Sequence, residues 1–170
     1  TASSEKRAAL RHLEPHGALI TPPGPARSTR RRFNEAVLET DNPMHTLSER
    51  FIAVVEEEVA QLLKETEQRD GTLAWAEFIE GWFRIVRRVV FGDAARDDRE
   101  MRRLTDELRG DANWAFAKPR RNRVRRDFFT RLNRHLARAE AGSLAAVVAS
   151  IPKTRETAPD HQVPQWLFAF

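Results

Sequence analysis

The chain has 170 residues, 41% hydrophobic and 32% charged, and its 29 lysines and arginines outnumber 25 acids for a formal net charge of +4. That is material for one core of ordinary size and gives no reason to expect two domains. The absence of cysteine excludes disulfides, zinc–thiolate centres, cysteine nucleophiles and any thiolate ligand from within these residues. No stretch approaches the roughly 20 apolar residues that span a bilayer, and the opening TASSEKRAAL lacks the apolar core of a secretory signal. The expectation is a soluble, cytoplasmic protein without a membrane partner.

In chain order the signals are helical. A short helix is expected around Ala8 to Leu13, followed by a loop at the Pro and Gly cluster PHGALITPPGP. A short arginine-rich helix follows from Ala26 to Leu38. Asn42 and Pro43 read as an Asx cap with proline in the first turn of the next helix. Behind them Leu47, Phe51, Val54, Val55, Val59 and Leu62 keep helical spacing, so this face of the segment is expected to be buried. After Gly71 and Thr72 the apolar residues Trp75, Phe78, Ile79, Trp82, Phe83, Val86, Val89 and Val90 recur at steps of three and four up to Gly92. This wide face demands partners on more than one side.

A further helix from about Asp98 carries Met101, Leu104 and Leu108 and runs toward Trp114 and Phe116, and Pro119 interrupts it. Val124, Phe128, Leu132, His135, Leu136 and Ala139 then describe a long amphipathic helix ended by Gly142. Ser143 caps a short helix that Pro152 terminates, residues 153–162 read as a polar linker, and Pro164 opens a last helix. Alternating strand patterns, internal repeats and low-complexity tracts are missing, so the expected fold class is all-α. The domain reading is a loop-rich lead-in (1–25), a helical body (26–152), the linker, and the last helix from 163.

The last helix, within VPQWLFAF, is apolar on every side, which suits the centre of a larger protein. Alone, its final carbonyls and its aromatic surface would lack cover. The expectation is therefore a piece of a longer polypeptide.

The charges are unevenly placed. From Lys118 to Arg138 nine basic residues face the single acid Asp127, a net +8, so the rest of the chain is net negative. Such a helix can track phosphates, but neither a recognition-helix motif nor interleaved aromatics accompany it, and a solvated arginine face is the plainer reading. A second cluster, Arg27, Arg30, Arg31 and Arg32, sits at a helix start, where cations oppose the helix dipole unless an anion lies close. An anion site is thus more interesting there than on the long helix. Among weaker candidates, Pro15 spoils the His12/His16 pair as a metal site, His135 belongs to the apolar stripe, Glu58 stands nearest the buried face among Glu56, Glu57 and Glu58, and Asp97 and Asp98 look like capping residues. No glycine-rich phosphate loop, nucleophile elbow or paired-histidine zinc motif is present.

The order RSTRRRFNEAVLETDNPMH, FIAVVEEEVAQLL, WFRIVRRVVFGDAARDD, LRGDANWAFAKPRR, RLNRHLARAEAGSLAAVV and QVPQWLFAF resembles the middle of a bacterial cytochrome P-450, a haem-thiolate monooxygenase. RRRFNEAVL, VVFGDAARDD and QWLFAF carry most of the likeness, which covers most of residues 26–170. The resemblance implies an incomplete portion of that orthogonal multi-helix fold, from its helix C to the opening of helix I. The axial cysteine and the oxygen-activating acid and alcohol pair of the family fall outside these residues, so the parent protein is expected to be the enzyme and this chain alone inactive. The resemblance places Arg30 against a haem propionate, with Arg27 and Arg31 as alternatives because Ala26 stands where the family has an aromatic partner. It implies substrate contacts at Leu19 and Ile20, at Trp114 and Phe116, and at Phe168 and Ala169, with core packing the plainer role for the aromatics. It also implies an apolar small-molecule substrate, and a small acidic ferredoxin as redox partner docking near Arg31 and Arg32. The contrasting reading is a helical ligand-binding or interaction domain of the transcription-regulator kind, its basic helix meeting DNA or an acidic partner.

Overall fold

A computed structural model describes residues 3–10, 16–18, 20–114 and 117–168. Among them there is no strand. The elements are α1 (Ser4–Leu10), α2 (Pro25–Leu38), α3 (Ser48–Glu67), α4 (Trp75–Phe91), α5 (Arg99–Asn113), α6 (Asn122–Arg138), α7 (Leu144–Ser150), α8 (Pro159–Gln162) and α9 (Pro164–Phe168), with single 3₁₀ turns at Asp93–Ala95 and Arg155–Thr157.

The core is built around α4, α5 and α6. Val86, Val90 and Phe91 of α4 meet Met101, Leu104 and Leu108 of α5 and Phe128 and Leu132 of α6, all buried. Leu144, Ala145 and Val148 of α7 and Phe33 and Val37 of α2 close one side of this core. Aliphatic and aromatic side chains recurring every three to four residues made these helices legible, and burying them is what stabilises the array. Asp98 caps α5 by accepting from the Met101 amide at 3.0 Å, and Ser143 caps α7 by accepting from Ala146.

Several expectations are corrected. The helix read from Asn42 begins only at Ser48. Glu39, in the left-handed region at φ 49°, closes α2, and its carboxylate accepts from the Thr46 amide at 2.8 Å and the Thr46 hydroxyl at 2.7 Å. Those bonds hold residues 40–46 in turns, so Pro43 serves a turn instead of a first helical turn. The α6 helix ends at Ala139, which takes φ 45°, three residues before Gly142. The first helix runs Ser4–Leu10, and Leu13 lies outside the described residues. The polar linker is also structured: the 3₁₀ turn and α8 fill much of it, with Pro159 opening α8.

The covering of α9 is the largest correction. Val163, Trp166 and Leu167 are all buried among these residues, and Phe168 stacks on Phe128 with centroids 5.8 Å apart. The chain's own α2, α4 and α5 supply the cover that periodicity alone did not provide for.

Candidate functional site

The structure brings the arginine-rich start of α2 against residues 154–166, about 130 positions away in sequence. Pro25 occupies the first turn of α2, and Gly24 precedes it at φ 146°, a conformation open to glycine. One turn on, Arg30 turns inward. Its Nη1 donates to Thr21 Oγ1 at 2.6 Å, its Nη2 to Glu156 Oε2 at 2.5 Å and its Nε to the Glu156 carbonyl at 3.2 Å. Thr21 Oγ1 in turn donates to the Gly17 carbonyl. The anion that a cation cluster at a helix start calls for is therefore, for Arg30, Glu156 of this chain.

A second tier of polar contacts lies beneath. Asn34, one turn after Arg30, donates through Nδ2 to the Arg30 carbonyl and to Gln162 Oε1, at 2.8 and 3.1 Å. Its Oδ1 accepts from Gln165 Nε2 at 2.5 Å and from the Trp166 indole at 3.0 Å. Gln162 is fully buried and donates to the His16 carbonyl. Asn34 and Gln162 thus satisfy both ends of their side-chain amides, as burial requires, whereas the buried Gln165 Oε1 has no hydrogen-bond partner among the described residues.

The remaining arginines diverge. Arg31 is largely exposed and pairs with Glu35 at 2.6 Å on the surface. Arg32 is exposed. Arg27 has no ion-pair partner among the described residues. Arg27 and Arg31 together line a cavity of about 390 Å³, whose walls also include Ala18, Asn34, Leu38 and Trp166. Leu38 and Trp166 form a shared wall with a second, wholly apolar cavity of about 290 Å³ against Trp82, Val86 and Val89 of α4. The lining is amphiphilic, with Arg27, Arg31 and Glu35 beside aliphatic and indole surface, which suits an apolar molecule that carries a carboxylate.

The expected substrate contacts separate. Leu19, Phe116 and Ala169 lie outside the described residues. Ile20 is buried beside Thr21 in the lead-in, Trp114 is exposed just past α5, and Phe168 packs on α6. His12 also lies outside the described residues, and among those described no group of three or more His, Asp or Glu is placed to hold a metal ion.

The acidic and basic runs resolve mostly into structure. Glu58 is 3% exposed and accepts from Arg88 Nη1 at 2.9 Å and Arg96 Nε at 2.6 Å. Arg88 also reaches Glu57 and Asp93, and these partners outweigh the cost of its burial and raise its pKa. In the basic run, Lys118 and Arg121 before α6 pair with Asp111, and Arg131 of α6 pairs with Asp98, each within 2.8 Å. Arg123, Arg126, Arg134 and Arg138 stay exposed along one face.

Sequence reading missed Glu156, Asn34 and Gln162. Glu156 and Gln162 are isolated polar residues in a presumed linker and Asn34 a single polar residue within α2, and none carries a periodic signal, although Ala158–Pro159 already marked a helix start. No protein-family model, curated protein or solved structure matches the chain.

Proposed function

We propose that these residues are part of a haem-dependent monooxygenase of the bacterial cytochrome P-450 kind, whose parent reaction hydroxylates an apolar small molecule with O2 and electrons from a ferredoxin-type partner. The observation that carries this reading is the meeting of the arginine-rich α2 with the apolar α9 around one amphiphilic cavity, in a chain whose segment order resembles that family.

The residues present fit the anionic edge of a haem. Arg27 faces the cavity without an ion-pair partner, and Arg31 reaches the same cavity from its surface pair with Glu35. Guanidinium forks suit bidentate carboxylate pairing. Arg30, first choice on sequence grounds, holds Glu156 and Thr21. On this reading it positions the Glu156–Gln162 turn under α2, and it meets a propionate only by exchanging Glu156 for it. Leu38 and Trp166 supply apolar surface that excludes water. When bound through a cysteine thiolate the haem supplies O–O cleavage, and with no cysteine here that ligand must come from elsewhere in the polypeptide.

A second reading rests on the four exposed arginines of α6, which would meet DNA or an acidic protein in a regulator-like domain. Expression of the longer coding sequence tests both. The carbon-monoxide spectrum of thiolate-ligated haem is the expected result. A product with no haem spectrum that retards DNA with steep salt dependence would replace the first reading by the second.

A further inference from the structure

Arg131, Arg134, His135 and Arg138 follow one another on α6 at steps of three and four, so they share one side of that helix. They line an open groove of about 700 Å³. Its other wall carries Asp93, Asp97, Asp98, Arg99 and Glu100, from the 3₁₀ turn into the first turn of α5. Apart from Ala94, every described residue of the lining is charged or polar, which suits a polar, charged ligand and not the apolar molecule that the cavity at Trp166 suits.

Each acid of the groove is already matched. Asp93 accepts from Arg50 and Arg88 at 2.6 and 2.7 Å, Asp97 from Arg96 at 3.0 Å and Glu100 from Arg103 at 2.6 Å. None of those four arginines lines the groove. Asp98 serves Arg131 and His135 at 2.8 and 2.7 Å besides capping α5. The cations are not matched in return. Arg99, Arg134 and Arg138 are exposed, and none of the three has an ion-pair partner among the described residues. In the same wall His135 is 4% exposed, and its Nδ1 has no hydrogen-bond partner among the described residues.

The number of free guanidinium groups sets the class of ligand. A carboxylate has two oxygens, and a bidentate pair with one guanidinium occupies both. Three guanidinium groups call for an acceptor with oxygens on several sides, and a phosphate group presents three. Arg134 and Arg138 are one turn apart, with Cβ atoms about 5–6 Å from each other, so one phosphate or two linked ones can meet both. No Phe or Trp lines the groove, so it offers no ring on which a nucleobase would stack.

We propose that the groove between the start of α5 and the end of α6 binds a small anion that carries phosphate, free or esterified, with Arg99, Arg134 and Arg138 holding the phosphate oxygens. Arg131, kept by Asp98, borders the same groove. The site goes beyond the haem reading and does not depend on it, since it uses none of the residues around Arg27.

The test titrates the chain at fixed ionic strength with pyrophosphate and with glycerol 3-phosphate, against tricarballylate as a carboxylate comparator. Expected is saturable binding of a phosphate probe at least about tenfold tighter than tricarballylate, with a shift of the His135 ring signals in NMR spectra. Pyrophosphate as the tighter probe assigns free phosphates as the source, and glycerol 3-phosphate as the tighter assigns a phosphorylated metabolite. Arg99→Gln, and Arg134→Gln with Arg138→Gln, should each weaken binding at least about tenfold. Both changes are at exposed positions and should leave the circular dichroism spectrum as it is. Arg123→Gln with Arg126→Gln, exposed on α6 outside the groove, should keep binding within about twofold. Equal binding of tricarballylate, binding of neither phosphate, an equal loss in the Arg123 and Arg126 variant, no shift at His135, or preference for a poly-glutamate peptide over both phosphates would each overturn the proposal.

Discussion

The indole of Trp166 donates to the side-chain oxygen of Asn34 at 3.0 Å, joining α9 to α2 across 132 positions of sequence. Both residues are buried, and the same oxygen accepts from Gln165 while the amide nitrogen serves Gln162 and the Arg30 carbonyl. One side chain thus satisfies donors and acceptors from three elements. Asn34→Leu strands the buried Trp166 N–H and the Gln162 oxygen. An unsatisfied buried group costs about 1–3 kcal/mol, so denaturant unfolding should show a loss of about 2 kcal/mol or more, and a gain in stability would remove Asn34 from the keystone position.

Arg30 and Arg27 should behave differently when each is changed to alanine in the longer polypeptide. Arg30→Ala breaks the contacts to Thr21 and Glu156 and should lower the thermal midpoint. Arg27→Ala, with no ion pair to lose, should leave the midpoint within a degree or two and weaken haem retention, read as the rate of haem transfer to apomyoglobin. Unchanged transfer in Arg27→Ala and faster transfer in Arg30→Ala, without a fall in the midpoint, would return the propionate role to Arg30.

Glu58 holds Arg88 and Arg96 at once and is almost fully enclosed. Removing one partner of a buried ion group leaves the other charges uncompensated, at about 3–5 kcal/mol. Glu58→Ala should therefore cost about 3 kcal/mol in urea unfolding, while Glu56→Ala, one exposed neighbour away, should stay within about 0.5 kcal/mol. Similar losses at both positions would mean that the network adds little.

Burial would raise the pKa of Asp98, but hydrogen bonds from His135, the Met101 amide and Arg131 outweigh it and hold the carboxyl well below the usual carboxylate range. A carboxyl depressed in the fold contributes stability that is present in full above the unfolded value near 3.9 and is lost as pH falls through the lower folded value. Asp98→Asn keeps a competent cap and removes the charge. It should be about 2 kcal/mol less stable than the parent at pH 7, with the gap closing only below about pH 4. A gap that is constant from pH 7 to pH 2 would show that the charge itself contributes nothing.

What the sequence determined by itself was the helices and the apolar stripe that each carries. Val86, Val90, Met101, Leu104, Phe128 and Leu132 repeat at three and four because a helix can bury only one stripe, and that constraint is local. Ser143 and Asp98 announced their caps for the same reason. The tertiary structure alone decided which helices meet. It gave Arg30 the carboxylate of Glu156, covered the indole of Trp166 with α2, and left the stripe from Ile52 to Leu63 in solvent although its spacing is as regular as that of any core helix. Periodicity records that a face is apolar, but what covers it depends on contacts between residues far apart in the chain, whose pairing no local spacing encodes.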